Sequence, residues 1–405
     1  MTRADRRLQA LLTGTTTAFL FVAPFTGSAG LRATMLILAS IALVAMHVRG
    51  AALETDRLPR AVLAAFAAWA LLATASVAWT VRLEITTAEL RAEILYGTLA
   101  LGAFLLAARD ASRWPAWRYA LLLGALVVVA LHLVQPLMPF PLTRHSVVGQ
   151  GGLWSTYLVI LAPVLLTLGW PAPWGAARGT ALQAVAVLLL FAAAWATGNR
   201  AVWAALAAQL VVLMALASAV PGNGERRRDF RLVAVAALLI AGAAFFVSIK
   251  DRVADMDPAA SVAAGLANDV RPQIWAVAWP AFLEAPWLGH GFGREILEHR
   301  FAVIKPLTPN HPPVEHAHNL FIDMALELGV VGLAAFLALL GALAIEYRRF
   351  LLDSRIAPLG ILGLALLVGF IAKNLTDDFL HRHNALVFWA LNGILIGLGR
   401  SHPAR

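Results

Sequence analysis

The sequence contains no cysteine and few charged residues. The absence of cysteine excludes disulfide bonds and fits a membrane protein with one face on an oxidising side. Only 14% of the 405 residues are charged, whereas about a quarter of the residues of a soluble protein are charged. With 60% hydrophobic residues and a mean hydropathy of +0.75, most of the chain is expected to contact lipid.

The sequence also lacks a low-complexity tract, an internal repeat and a basic soluble segment. Its net charge of +9 comes from arginines that stand between apolar runs and not from a basic soluble face. This distribution excludes nucleic acid as a partner and makes the lipid bilayer the expected surroundings.

Long apolar runs, by contrast, recur from end to end. A run of about 20 residues is long enough to cross a hydrocarbon core roughly 30 Å thick. The twelve runs cover about residues 8–28, 31–48, 59–79, 90–108, 115–135, 151–170, 181–197, 200–220, 231–249, 319–344, 356–373 and 382–399. The first run is too long, and too closely followed by the second, for a cleaved signal peptide. The sequence therefore predicts an all-α polytopic membrane protein of about twelve transmembrane helices.

Arginines occupy every second connection between these runs. The clusters are Arg3/Arg6/Arg7, Arg49/Arg57/Arg60, Arg109/Arg113/Arg118, Arg178, Arg226–Arg228 with Arg231, Arg348/Arg349/Arg355 and Arg400/Arg405. Because basic connections remain in the cytoplasm, both termini are predicted to be cytoplasmic. The chain then divides into helices 1–9 in residues 1–249, one large external loop in residues 250–317, and helices 10–12 in residues 318–405.

The external loop 250–317 is much longer than an ordinary connection, which is typical of a functional or a disordered segment. Asn268 or Asp269 as N-cap and Pro272 in the first turn predict a short helix, which Pro280 makes too interrupted to span the membrane. Its aromatic residues fall on one face, which suits a membrane interface or a packing contact; they are Trp275, Trp279 and Phe282. A second short helix is predicted within residues 294–305.

The stretch HPPVEHAHNLFIDMALELG, residues 311–329, combines histidines with acidic residues at the predicted external mouth of helix ten. Asn319, Asp323 and Glu327 recur every four residues and therefore share one helical face. Carboxylates inside an apolar run normally face a protein interior or a water-filled cavity. We expect external arginines to be their partners, and for Glu327 a structural ion pair is favoured over chemistry.

Two external arginines stand near the starts of outward-facing helices. Arg144 precedes the glycine-rich start of helix six, and Arg200 opens helix eight. An arginine is the wrong charge for a helix N-terminus, and a bound anion would reconcile the two. A lipid headgroup contact is the alternative for any single arginine, whereas Arg200 and Arg271 together with a histidine favour a phosphate site.

Three segments in order resemble the O-antigen ligase and polymerase superfamily of membrane glycosyltransferases. They are TGNRAVWAAL at 197–206, RPQIWAVAWPAFLEAPWLGHGFG at 271–293 and HAHNLFIDMALELGVVGL at 316–333. The resemblance implies transfer of a glycan from undecaprenyl diphosphate to an acceptor hydroxyl, which for the ligases lies on the lipid A–core oligosaccharide. It implies an active site on the periplasmic face of the bacterial inner membrane.

By that resemblance, Arg200 and Arg271 match the arginines that hold the lipid diphosphate, with Arg144 as a third candidate. His318 matches the catalytic base, although the neighbouring His316 leaves the choice between two histidines open. The further candidates for supporting roles are Arg82, His316, Asn319, Asp323, Glu327 and Asp378. Because arginines can neutralise the leaving diphosphate, no metal and no cofactor are expected.

Three functional interpretations stay open at this stage. A ligase is favoured over the related polymerase because one external loop dominates, whereas polymerases tend to carry two. A transporter of an anionic lipid or solute would place charges near the middle of the membrane on discontinuous helices. The turn with Asp377, Asp378, His381 and His383 is the rival site for a divalent ion; pairing with Lys373 or a place in the acceptor cleft is favoured there.

Overall fold

The computed structural model describes residues 2–50, 58–134, 151–167, 179–216, 231–232, 234–247, 270–304, 314–378 and 380–402. Every regular element within these ranges is helical. The α-helices are α1 Arg3–Val22, α2 Ala29–Val48, α3 Arg60–Ala75, α4 Leu83–Glu89, α5 Tyr96–Ala107, α6 Trp114–Val134, α7 Gly151–Leu166, α8 Gly179–Ala196, α9 Ala201–Leu216, α10 Ala234–Val247, α11 Arg271–Glu284, α12 Glu298–Phe301, α13 Leu320–Phe350, α14 Ala357–Asn374 and α15 Arg382–Ser401.

Each of the twelve apolar runs overlaps one of these helices. Within the described ranges, six helical segments are long and apolar enough to cross a membrane, and four further apolar helices are shorter. This is the architecture of a helical membrane protein. The number of twelve crossings and their orientation stay predictions, and Arg144 lies outside the described residues.

The segment 250–317, which is predicted to be external, contains the two predicted helices within its described residues, with different bounds. Helix α11 has Val270 as its N-cap residue and continues through Pro280 to Glu284, so the proline does not end it. Helix α12 is a single turn, Glu298–Phe301, shorter than the sequence indicates. Trp279 is 61% exposed while Ile274 on the opposite face is buried, so α11 packs with its aliphatic face and presents its tryptophan outward.

Helix α13 is interrupted at Gly329, where the backbone adopts φ 65°. The GHGFG loop fills the interruption: His290 and Gly291 donate their N–H groups to the carbonyls of Leu326 and Glu327, each at 2.9 Å. A Cβ on Gly329 would lie 2.2 Å from the Trp287 backbone, so only glycine permits this approach. The loop thereby satisfies backbone groups that the break in the helix leaves without helical partners.

Helix α15 lies at the centre of the bundle, and its residues from His383 to Gly399 are all buried. It packs most extensively on α5. Two of its polar side chains hydrogen-bond protein groups: Asn384 donates to the Leu153 carbonyl, and Asn392 accepts from the Tyr347 hydroxyl. A helix enclosed by other helices contacts little lipid, which explains how it can carry more polar residues than a lipid-facing span.

Helices α13 and α15 define the two ends of the bundle. Both helices begin beside the turn that connects α14 to α15. Their opposite ends also lie side by side, because Arg400 donates two hydrogen bonds to Glu346, at 2.5 and 2.7 Å. The 31 residues of α13 span about 46 Å, more than the roughly 30 Å of a hydrocarbon core. The titratable residues before α13 and the arginines after it therefore lie at opposite ends.

Candidate functional site

His318 occupies a constrained position immediately before α13. Its backbone has φ 51°, an uncommon value for a residue other than glycine. Its N–H donates to His316 Nδ1 at 3.1 Å, and the two imidazole rings lie 4.1 Å apart. The following residue, Asn319, caps the helix by accepting from the N–H groups of Phe321 and Ile322. The cap and the histidine contact fix where the His318 side chain emerges.

Asp377 links His318 to two other elements. Its Oδ1 lies 3.5 Å from His318 Nδ1, and its Oδ2 accepts from Lys373 Nζ at 2.8 Å and from Asn199 Nδ2 at 3.3 Å. Burial raises the pKa of Asp377, but Lys373 and His318 more than offset this, so its pKa is below the ordinary value. Asp377 is thus an ionised acceptor at neutral pH.

The segments that carry the two arginines predicted to bind phosphate contact the same turn. Arg271 Nε donates to the Thr376 carbonyl at 3.0 Å, so the start of α11 lies beside Asp377. Arg200 directly follows Asn199, whose side chain contacts Asp377. The 376–377 turn therefore brings the segments that carry Arg200, Arg271 and His318 to one place. Both arginines are half-buried.

His316 has a different environment from His318. The His318 side chain is 28% exposed, whereas that of His316 is only 5% exposed. Arg294 Nη2 lies at hydrogen-bonding distance from His316 Nε2, and Asp323 Oδ2 lies 3.4 Å from its Nδ1. Burial, then Arg294 and His318, hold the pKa of His316 well below its ordinary value. His316 is therefore a neutral, enclosed side chain, and His318 is the more accessible histidine.

Beneath His316, two acidic side chains are in contact. Carboxyl oxygens of Asp378 and Asp323 lie within 4.8 Å of each other, and Asp378 Oδ2 lies 3.7 Å from Arg294 Nε. Burial, and then the neighbouring Asp323, raise the pKa of Asp378 to about 7. Asp378 therefore carries a proton below neutral pH and can donate it in the contact with Asp323.

The prediction that external arginines pair with the carboxylates of α13 is wrong in part. Asp323 accepts from the Ala317 N–H at 2.7 Å and contacts His316. Glu327 accepts from the Gly293 N–H at 3.2 Å, and no ion pair of this carboxylate occurs among the described residues. The backbone of the GHGFG loop, and not an arginine side chain, therefore contacts Glu327. Arg82 pairs instead with Glu84 and Glu298.

Two groups of side chains within the described ranges have the spacing of metal ligands. The first is Glu89, Glu93 and His381, and the second is His316, Asp323 and Asp378. Neither group matches the four residues that the sequence suggests as a rival metal site, which are Asp377, Asp378, His381 and His383. In the first, His381 Nδ1 lies 3.0 Å from Glu93, and in the second, Arg294 supplies a positive charge. Metal independence stays a prediction.

Arg294 was missed by the sequence interpretation, although it directly follows the GHGFG motif. Its side chain contacts His316 and Asp378 and is only 14% exposed. The signal that could have identified it is the conjunction of a turn motif with an external arginine. Which histidine it would contact could not be predicted, because that depends on how the loop packs on α13.

The fold and the site together define a helical membrane protein with a histidine, carboxylate and arginine group at one end of its bundle. Residues 184–337 match a family model described as O-Antigen ligase. The matched segment contains Arg200, Arg271, Arg294, His316 and His318, whereas Asp377 lies beyond it.

A curated relative points in the same direction. The chain is 26% identical over 307 residues to a protein named O-antigen ligase from Pseudomonas aeruginosa (strain PAO1). The match covers 75% of this chain and 68% of that relative. The two comparisons confirm the resemblance to the O-antigen ligase and polymerase superfamily, and they favour the ligase by name.

Proposed function

We propose that the chain is an O-antigen ligase of the bacterial inner membrane. It transfers O-antigen polysaccharide from undecaprenyl diphosphate to the lipid A–core oligosaccharide on the periplasmic face, without a metal ion. His318 acts as the general base, and Arg200 and Arg271 bind the diphosphate. The observation that carries the proposal is the convergence of these three segments on the Thr376–Asp377 turn.

The contact of His318 with Asp377 supports its role as the base. An ionised Asp377 accepts a hydrogen bond from Nδ1–H of His318, which leaves Nε2 unprotonated and able to take a proton from an acceptor hydroxyl. The partial exposure of His318 permits that approach, whereas His316 is enclosed. Asp377 is in turn held by Lys373 and Asn199, so the imidazole has a fixed orientation.

In the proposed reaction, the acceptor oxygen attacks the anomeric carbon of the donor glycan from the side opposite the diphosphate. The new C–O bond forms as the bond to the diphosphate oxygen breaks, and undecaprenyl diphosphate leaves with the electron pair. His318 takes the hydroxyl proton. Arg200 and Arg271 stabilise the charge that grows on the leaving group, which is the role a metal would otherwise fill. Single displacement inverts the anomeric centre.

The bundle polarity supports a periplasmic site with cytoplasmic termini. The site stands at the beginning of α13 and α15, and basic residues follow at their opposite ends. Because basic ends remain in the cytoplasm, the site faces the periplasm.

The lipopolysaccharide profile of a strain that lacks the gene tests the proposal. A ligase defect leaves intact core without long glycan, while lipid-linked polymer of normal length accumulates. Loss of the polymer itself would instead identify a polymerase. A profile with normal ligated glycan would contradict both the ligase and the polymerase and would favour a transporter.

Complementation with histidine variants tests the assignment of the base. Because general-base catalysis contributes about 10²–10⁴ in rate, His318→Ala should nearly abolish transfer and leave donor binding intact. His316→Ala should lose much less, because the enclosed His316 ring is not accessible to the acceptor and contributes only a contact with the His318 backbone. His299→Ala, an exposed histidine in the same external region, serves as the matched control. Greater loss in His316→Ala than in His318→Ala, or loss of donor binding in His318→Ala, contradicts the assignment.

A further inference from the structure

Exposed apolar side chains recur along the segment from α11 to the GHGFG loop. Trp279 and Leu283 lie on the outward face of α11 and are 61% and 56% exposed. Trp287 and Leu288 follow the end of the helix and are 70% and 44% exposed. We call these four side chains the apolar edge. Single exposed apolar residues are normal on a protein surface, whereas several large ones in one short segment mark a contact surface.

Helix α13 gives the height of the apolar edge in the bundle. The Pro286 carbonyl accepts from the Val330 N–H at 2.8 Å, and the Trp287 carbonyl accepts from the Val331 N–H at 3.3 Å. The two valines are exposed and begin the apolar run of α13. From Val330 to Arg348, the helix rises about 27 Å, close to the roughly 30 Å of a hydrocarbon core. With Arg348 at one boundary of the core, the apolar edge lies at the other boundary.

Helix α3 gives the same height independently. Trp79 Nε1 donates to the Leu288 carbonyl at 3.0 Å. Trp79 directly follows an apolar helical segment of 19 residues, Arg60–Ala78. That segment is about 28 Å long, and its basic residue stands at the far end. Two spans of unrelated sequence therefore place the GHGFG end of the apolar edge at one boundary of the hydrocarbon core.

We propose that the apolar edge is immersed in the bilayer leaflet on the side of the candidate site, where the hydrocarbon meets the headgroups. Tryptophan suits this level because its indole combines an apolar body with an N–H donor, and it is enriched at membrane interfaces. A helix that lies in this zone buries its apolar face about 5–10 Å below the headgroups. The segment predicted as an external loop is then bound to the membrane along one side.

Lipid is the partner because the apolar edge continues surfaces that already face lipid. On α3, Leu71 is exposed, and on α13, Val330, Val331 and Leu337 are exposed. The backbone contacts of Trp287 and Leu288 join the edge to these two helices without a gap. A soluble protein partner would have to cover the edge next to the bilayer, whereas lipid covers both surfaces at once.

Membrane contact at this edge also bears on the candidate site. Helix α11 begins at Arg271, whose Nε donates to the Thr376 carbonyl, and the GHGFG loop is followed by Arg294, which contacts His316. The two arginines therefore bracket the segment that lipid contact holds at one height. This inference does not depend on the reaction that the site performs.

The absence of cysteine makes single-cysteine variants a direct test, because a thiol-reactive label then reacts at one position. Trp279→Cys, Leu283→Cys and Trp287→Cys place the fluorophore NBD on the apolar edge of the full-length protein. The labelled proteins are reconstituted in phosphatidylcholine nanodiscs, where both faces meet water. The quenchers are a lipid with a nitroxide near its headgroup, a lipid with a nitroxide near the end of an acyl chain, and aqueous iodide.

Two further variants calibrate the depth. Leu337→Cys carries the label on an exposed position within the apolar run of α13, about 10 Å along the helix from Val330. His299→Cys carries it on an exposed position between the charged residues Glu298 and Arg300. Its label should be quenched most by iodide, and the label of Leu337→Cys most by the deep nitroxide.

For each label on the apolar edge, we expect the shallow nitroxide to quench at least about twofold more than the deep one, because an interfacial face lies only about 5–10 Å below the headgroups. Iodide should quench these labels less than it quenches His299→Cys. Leu283→Cys keeps both tryptophans of the edge, so a result shared by the three variants does not come from the loss of one ring.

Three results would overturn the proposal. Iodide quenching equal to that of His299→Cys would place the apolar edge in water. Protection from all three quenchers would show that protein, such as a second copy of the chain, covers the edge. Stronger quenching by the deep nitroxide than by the shallow one would place the segment inside the hydrocarbon core and not at its boundary.

Discussion

Replacement of Lys373 by methionine tests the ion pair beneath His318. Lys373 is fully buried, and its Nζ lies 2.8 Å from Asp377 Oδ2. After the substitution, the side-chain partners of the buried Asp377 among the described residues are neutral Asn199 and the more distant His318. Because removal of one partner from a buried ion pair costs about 3–5 kcal/mol, we expect Lys373→Met to destabilise the protein by that order at pH 8.

The contribution of Asp377 to the pH dependence of the stability should change sign in this variant. In wild type the pKa of Asp377 is depressed, so its contribution is present above the ordinary value of about 3.9 and is lost only as pH falls through the depressed folded value. Without Lys373, burial raises the pKa of Asp377. The folded variant then binds the proton more tightly than the unfolded chain does, so stability declines as pH rises from about 4, by at most ~1.4 kcal/mol per pH unit.

Thermal unfolding of the detergent-solubilised protein between pH 5 and pH 8 measures both effects. Relative to wild type, Lys373→Met should lose more stability at pH 8 than at pH 5. In the double variant Lys373→Met/Asp377→Asn, the carboxylate is absent, and the extra pH dependence should disappear. A single variant that is as stable as wild type at pH 8, or that has the same pH profile, would refute the reasoning.

Three further predictions concern the site and its orientation. Arg271→Lys keeps the charge but loses the two-pronged geometry, so transfer should fall by roughly 10²-fold at normal membrane levels; near-wild-type transfer would indicate a headgroup contact instead. Adding an Arg200 substitution should cost less than the sum of the single losses if both arginines hold one diphosphate. Transfer by the purified protein should survive EDTA, and restoration by magnesium after its loss would reject metal independence. Reporter fusions after Arg228 and Arg349 should read as cytoplasmic and one near Ala263 as external; a cytoplasmic result at Ala263 would reverse the site's location.

The helices could be predicted from the sequence because their signals are local. Each apolar run predicts a helix by its length and hydropathy, and Asn319 announces the start of α13 by its capping chemistry. The kink at Gly329 could not be predicted in the same way. It depends on the GHGFG loop, which lies about 40 residues earlier and packs into the break through its own backbone.

For the site, too, the residue types could be predicted from the sequence, whereas most of their partners could not. The residue types and their order indicated a histidine, two arginines and a phosphate-bearing substrate, since each motif is short and chemically distinctive. The partners could be predicted only in part: the pairing of this turn with Lys373 is confirmed by the Lys373–Asp377 contact, whereas the contact of Asp377 with His318 was not predicted and Arg294 was missed. Glu327 was assigned to an ion pair, whereas it accepts a backbone hydrogen bond.

The sequence by itself determined that the chain is helical and apolar, and it identified the segments that carry the chemistry, because hydropathy, capping and motif depend on neighbouring residues. Only the tertiary structure decided which side chains meet. Asp377 contacts His318 across 59 residues of sequence and Asn199 across 178, and Arg271 reaches the Thr376 carbonyl across 105. Such contacts depend on how α8, α11, α13 and α14 pack, and no local pattern records the packing of elements so far apart in the chain.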